Sequence, residues 1–313
     1  MQQTSGRWKL GFTLALSTAV LWGVLPIALK IALKSVDPYT VTWYRFAVSG
    51  LILGVVLLIT GGLPTLAQFD RRTWLLLGIA FIGLTGNYVL YIVALVHTSP
   101  TITQTVAQLG PMILLFGGLI LFKEKFSLTQ WFGFAVLMTG LVLFFHDRLA
   151  ELRHPSGGVG LGVTLLTLAA FIWAAYGLAQ KRLLGQLEAQ QILLLLYLGA
   201  AAVLIPTSTP GSVRNADALQ LSMLAFCCLN TLVAYGAFAE GLKHWEVSRF
   251  GAVLATAPLF TVAGMWAIGR FAPGLVAVER LNTLSMFGTL LVVAGSVTCA
   301  MARRTPESPA GVE

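Results

Sequence analysis

HTSPTITQTVAQLGPMILLFGGLILFKE, residues 97–124, opens at a polar corner and closes on the charged run Lys123-Glu124-Lys125. Between them lie about twenty mostly apolar residues, enough for one helix to cross a bilayer. Pro111 falls inside the run and has no amide hydrogen, so the carbonyl of Ala107 loses its helical donor. Ahead of it stand Thr101, Thr103, Gln104, Thr105 and Gln108. Gln104, Gln108 and Pro111 follow an i, i+4, i+7 spacing and share one face. Lipid offers no partner to such a face, so it is expected to point at other protein or at a cavity.

The composition around this stretch is that of an integral membrane protein. Of 313 residues, 57% are hydrophobic and 10% charged, against roughly 25% charged in soluble domains. Cys227, Cys228 and Cys299 all sit in apolar blocks, with no disulfide framework and no metal-ligand spacing. The formal charge of +8 is scattered in pairs at block ends (Arg71/Arg72, Lys123/Lys125, Lys181/Arg182, Arg303/Arg304). That is the distribution of topology signals, not of a nucleic-acid surface. The first apolar block is too long for a signal peptide and has no small-residue cleavage pattern, so it reads as a retained helix.

Ten spanning segments can be drawn: Leu10–Leu33, Tyr39–Thr60, Trp74–Val96, Pro100–Phe122, Leu128–Phe145, Val159–Gln180, Gln190–Pro206, Leu219–Leu242, Val247–Gly269 and Thr283–Met301. The links are short. The longest polar interruption, HDRLAELRHPSGG (146–158), separates the chain into residues 1–150 and 151–304, and a tail at 305–313 has a disordered composition.

The two parts carry matching spacings. Trp22 precedes Lys30 by eight residues, and Trp173 precedes Lys181 by eight. Tyr88, His97 and Pro111 are spaced by nine and fourteen, as are Tyr235, His244 and Pro258. Glu124, Gly133 and Gly140 are spaced by nine and seven, as are Glu279, Gly288 and Gly295. Three matched sets in one order indicate a duplication of five helices. An odd number of spans per copy turns the copies to opposite orientations, the inverted repeat frequent in secondary transporters. With the N-terminus inside, twelve basic residues fall on the inner side and seven on the outer, which favours that orientation.

WGVLPIALK followed by DPYTVTWYRF, and HTSPTITQTVAQLGPMILL followed by QWFGFAVLMTGLVL, resemble the EamA-type members of the drug/metabolite transporter superfamily. The resemblance covers nearly the whole chain in two copies. In the second, Ala174 follows Trp173 where the first has glycine, and Arg45 has no counterpart. It implies an all-α membrane protein of ten helices with both termini cytoplasmic, in the inner or plasma membrane. It also implies a central cavity between the halves and export of small metabolites, often amino acids.

Candidate substrate-binding residues are those that could offer hydrogen bonds or aromatic walls inside the spans. The amides Gln104 and Gln108 belong to the first copy alone, since aligning Pro111 with Pro258 sets Gly251 and Ala255 opposite them. The prolines free the carbonyls of Ala107 and Leu254, and freed carbonyls beside a cavity hold polar ligands in such folds. The competing reading has the prolines only kink their helices while the glutamines bond to neighbouring helices. Asn87, Tyr88 and Tyr91 in the third span, and Asn230 and Tyr235 in the eighth, offer donors and acceptors. Trp22, Trp173 and Tyr176 offer aromatic walls, with core packing as the equal competitor. Arg45 is a charge deep in an apolar span and therefore a functional candidate; the structural reading, an anchor for a helix end, is favoured. Glu240 is the coupling candidate, against pairing with Lys243 or Arg249. Glu124 and Glu279 read as structural charges at helix ends, and Ser127-Leu128-Thr129-Gln130 has the form of a capping box.

The function expected is secondary, facilitative or weakly proton-coupled transport of amino acids or similar amphipathic metabolites, by alternating access. The partners expected are the metabolite and the bilayer, in a monomer or homodimer, with no cofactor, metal or nucleic acid. A membrane-embedded enzyme would need clustered acids, metal ligands or an activated nucleophile, and no HExxH, mid-membrane DxxxD or Walker lysine is present. A passive channel is the third class, distinguished by the absence of saturable exchange.

Overall fold

Polar residues at the corners set where each helix starts. The structure, a computed structural model, describes residues 6–124, 126–144, 146, 158–276 and 282–301; Glu279 and the 305–313 tail lie outside them. Asp37 accepts the amide of Thr40 at 3.0 Å to open α2 (Pro38–Thr60), and Asp70 accepts that of Thr73 at 2.7 Å to open α3 (Arg71–His97). Ser127 and Gln130 form the reciprocal capping box at the head of α6 (Leu128–Phe144), with bonds of 2.9 and 3.2 Å. Asp217 with Gln220, and Glu188 with Gln191, do the same for α9 (Ala218–His244) and α8 (Ala189–Leu204). Such caps satisfy amides that the helix itself leaves orphaned.

The remaining helices are α1 (Trp8–Ala32), α4 (Pro100–Ala107), α5 (Leu109–Leu121), α7 (Gly158–Leu183), α10 (Val247–Leu254), α11 (Ala257–Phe271) and α12 (Thr283–Met301). No strand occurs among the described residues. Nine helical segments among them are long and apolar enough to cross a membrane, two of these being the broken runs 100–121 and 247–271; α6, at 17 residues, is a shorter apolar helix. Leu51, Leu58, Ile59, Ile82, Phe132 and Leu290 stand on the outer surface, as lipid-facing side chains do. The chain is a multi-pass, all-helical membrane protein.

Packing pairs helices from the two parts of the chain. α1 lies along α9 as α3 lies along α7; α2 pairs with α8 and α6 with α12. Exchanging the first part for the second leaves this pattern unchanged. Where α6 meets α12 the backbones touch: a Cβ on Gly295 would stand 2.3 Å from the Leu137 amide nitrogen, and one on Gly140 2.6 Å from that of Val292. Only glycine permits that approach.

The broken runs supply the central irregularity. The first helix stops at Ala107, Gln108 takes the turn, and α5 starts at Leu109. The second stops at Leu254, turns through Ala255 and Thr256, and resumes at Ala257. Each break lies one turn before the proline, where the missing amide leaves the ladder unsupported.

Candidate functional site

A cavity with about 720 Å³ of space free of protein atoms, part of it open, lies where α1, α2, α3, α4, α7 and α9 converge on the two helix breaks. Trp22, Tyr88, Trp173 and Tyr235 line it. They form one aromatic cluster: Trp22 to Trp173 at 5.5 Å, Trp22 to Tyr235 at 4.9 Å and Tyr88 to Tyr235 at 5.3 Å between ring centroids. Asn87, Tyr91, Gln104, Gln108 and Pro111 line it as well.

The polar atoms there are partly committed. Asn87 Nδ2 donates to the Ala169 carbonyl at 3.0 Å, Tyr91 Oη donates to Gln104 Oε1 at 3.4 Å, and Gln108 Nε2 donates to the Gln104 carbonyl at 3.2 Å. Trp22 Nε1, Tyr88 Oη and Gln108 Oε1 are buried with no hydrogen-bond partner. Ala107 and Leu254, whose carbonyls the prolines deprive of donors, also line the space. The wall thus presents Trp22 Nε1 and Tyr88 Oη as free donors and Gln108 Oε1 as a free acceptor, beside the guanidinium of Arg45, while Leu25 and Leu166 contribute apolar surface.

Two of the substrate-binding candidates from the sequence are not brought to the cavity. Tyr176 is fully buried behind it, its ring 6.0 Å from both Tyr235 and Phe238. Asn230 faces α1, donating Nδ2 to the Leu21 carbonyl at 2.7 Å. Both are turned into helix contacts because a side chain on a mid-membrane helix meets whichever neighbour packs there. Pro258 itself does not line the space, although Leu254 and Ala257 beside it do. Glu240 lies away from it, its side chain 42% exposed, 3.0 Å from Lys243 Nζ and 3.3 Å from His244 Nε2. Lys243 also pairs with Glu188. Arg45, expected to anchor structure, stands in the cavity wall and is 2% exposed.

The lining draws on the middle of α3 and α7 and on the second half of α4. The helix ends beyond it are tied by charged side chains. There Glu124 accepts the amides of Val247 at 2.9 Å and Ser248 at 3.0 Å, capping α10 from across the bundle. A carboxylate at a helix N-terminus also meets the positive end of its dipole. Lys181 Nζ donates to the carbonyls of Leu242 and, at 3.3 Å, Trp245, closing the end of α9. Lys30 closes α3 in the same way, donating to the carbonyls of Leu95 at 2.7 Å and Thr98 at 2.9 Å. These lysines read from the sequence as topology charges; their matched eight-residue spacing from Trp22 and Trp173 was the signal of a shared role.

A multi-helix membrane bundle with broken helices around a central cavity defines the class: a membrane transport protein. The chain belongs to the EamA-like transporter family, whose model matches residues 9–146 and 160–301. It is 40% identical over 298 residues to an uncharacterized transporter of Haemophilus influenzae, covering 94% of this chain and 96% of the relative. It is 38% identical over 305 residues to the uncharacterized inner membrane transporter YhbE of Escherichia coli, covering 97% and 94%. At 22% identity over 295 residues it also matches an E. coli protein named "Probable amino-acid metabolite efflux pump", covering 90% and 92%. One solved structure, titled "Crystal structure of protein", shares the fold with a TM-score of 0.70 at 18% identity, over 93% of this chain and 97% of that one.

Proposed function

We propose that the protein is a secondary transporter that carries amino acids or similar small amphipathic metabolites outward by alternating access. In this reading ten spans form two inverted five-helix repeats, residues 1–150 and 151–304. The protein lies in the inner membrane with both termini cytoplasmic. The observation that carries the reading is the cavity bounded by both helix breaks, with aromatic residues from both halves in its wall. Helix breaks beside a midplane cavity are how such folds present backbone polar groups to a substrate. The exchange-invariant packing and the two family matches support the repeat. The name of the distant efflux relative supports the substrate class.

No acidic or histidine side chain stands among the residues lining the cavity, and Glu240 is held in an ion cluster away from it. In this reading the transport is facilitative or weakly proton-coupled, because a coupling proton needs a protonatable group in the pathway and Glu240 stands outside the described lining. Uptake of labelled amino acids into liposomes bearing the purified protein tests this, with and without an imposed pH gradient. The expected result is saturable exchange that equilibrates and ignores the gradient. Gradient-driven accumulation would restore Glu240 as a proton carrier, and linear, non-saturating flux would make the protein a channel.

A further inference from the structure

Among the described residues Arg45 is the one charged side chain in the cavity wall, and none of opposite charge answers it. Its Nε donates to Thr231 Oγ1 at 2.9 Å, and its Cζ stands 4.2 Å from the centre of the Tyr88 ring. Among the described residues no carboxylate pairs with it and no other hydrogen bond is made to its guanidinium. A guanidinium buried within a membrane helix is costly unless it is paired, and one hydroxyl and one ring face leave its two outer nitrogens unused. Those nitrogens form the planar fork that matches a carboxylate with two parallel bonds. The nearby wall adds the unpartnered donors Tyr88 Oη and Trp22 Nε1.

We propose that Arg45 is the carboxylate subsite of the cavity, and that the substrate is a small molecule bearing one carboxylate on an apolar or aromatic body. The inference rests on the transport reading and sharpens it. The carboxylate lies against the outer nitrogens of Arg45. An amine, where the substrate has one, meets the acceptors Gln108 Oε1 and the Ala107 carbonyl at the helix break. The apolar body lies along Leu25, Leu166 and Trp173. A single cation with no second basic residue in the wall suits one negative charge, not a phosphate ester with two. The carboxylate also answers why the charge persists in the wall: it is neutralised each time substrate binds.

The test uses the full-length protein in detergent and thermal unfolding with a panel of aliphatic and aromatic amino acids. Each is compared with its carboxamide and its decarboxylated amine, and 3-phenylpropanoate is added as a carboxylate without an amine. Carboxylate-bearing compounds should raise the wild-type midpoint; the amides and amines should not. Arg45→Gln should weaken that binding at least tenfold, and Arg45→Lys should retain part of it. Without ligand, Arg45→Gln should unfold at or above the wild-type temperature, whereas a structural role would lower it. Amides and amines that stabilise the wild type as well as the acids, or no shift with any compound, would overturn the proposal, and this arm needs no variant to fold. Exchange of the same compounds in liposomes separates the two readings. Arg45-dependent binding without any movement would overturn transport and leave the subsite. Equal exchange of acids, amides and amines would overturn the subsite and leave transport.

Discussion

Trp22 and Trp173 meet edge to face, their ring centroids 5.5 Å apart and their planes 80° from parallel. Each comes from the first helix of its part of the chain, and each is followed after eight residues by the lysine that closes a neighbouring helix. The pair is a floor to the cavity and a contact between the halves at once. Edge-to-face pairs add about 0.5–1.5 kcal/mol beyond the area they bury. Trp173→Ala should lower transport tenfold or more. Trp173→Phe, which keeps an aromatic edge, should retain most of it with a weaker apparent affinity. Initial rates across a substrate series decide this, and equal rates for all three proteins would remove Trp173 from the site.

Gln108 occupies the break itself, with Nε2 tied to the Gln104 carbonyl and Oε1 unpartnered. Its substitution costs no interhelical hydrogen bond. Gln108→Ala should therefore leave expression and thermal unfolding near wild type while raising the half-saturation concentration about tenfold, the equivalent of about 1.4 kcal/mol. An unchanged half-saturation concentration would confine Gln108 to shaping the turn.

Lys181 serves stability at the end of α9. Lys181→Met keeps the apolar stem but leaves the Leu242 and Trp245 carbonyls without their shared donor. An unsatisfied buried acceptor costs about 1–3 kcal/mol, so the midpoint of thermal unfolding should fall. Lys30→Met should do the same to α3 through Leu95 and Thr98. A variant as stable as wild type would mean water replaces the ammonium.

Asp37 links the α1–α2 corner to the loop before α9, accepting the Thr209 hydroxyl at 2.9 Å as well as the Thr40 amide. Partial burial alone would raise its pKa, but the hydrogen bonds from Thr40, Thr209 and the Tyr39 amide outweigh it and hold the carboxyl below the usual range. A group whose pKa is depressed on folding stabilises above its unfolded value, about 3.9, and loses that contribution as pH falls through the folded value. Asp37→Asn should thus be less stable than wild type at pH 7, with the gap narrowing below about pH 4. A gap that stays constant with pH would assign the effect to the amide's geometry.

Spans, corners and helix breaks were legible because each has a local cause: apolar length, a capping side chain, a proline. The matched spacings were legible for the same reason. What a helix turns toward the cavity was not. Tyr176 is three residues from Trp173 on α7, yet it is buried behind the lining, and Asn230 is spent on the Leu21 carbonyl. In soluble helices a polar face marks the outside, but here lipid and core faces are both apolar, so periodicity says little about which side meets the cavity. Sequence shows the charge of Arg45 without showing whether a counter-charge lies near, so it could not place that residue in the cavity wall. Glu240, weighed from the sequence as a coupling candidate against pairing with Lys243, is paired locally with Lys243 and His244.

The most direct measurement concerns Tyr91 and Phe238, which correspond through the matched spacings of Tyr88 and Tyr235. Tyr91 lines the cavity and is half-buried, whereas Phe238 is fully buried against Trp22 and Trp173. In a background with Cys227, Cys228 and Cys299 changed to alanine, Tyr91→Cys and Phe238→Cys would each be exposed to a membrane-impermeant maleimide from one side at a time. Alternating access predicts that both react, Tyr91→Cys from one side only and Phe238→Cys from the opposite side only. Reaction of both from the same side, or a Phe238→Cys that never reacts, would contradict it.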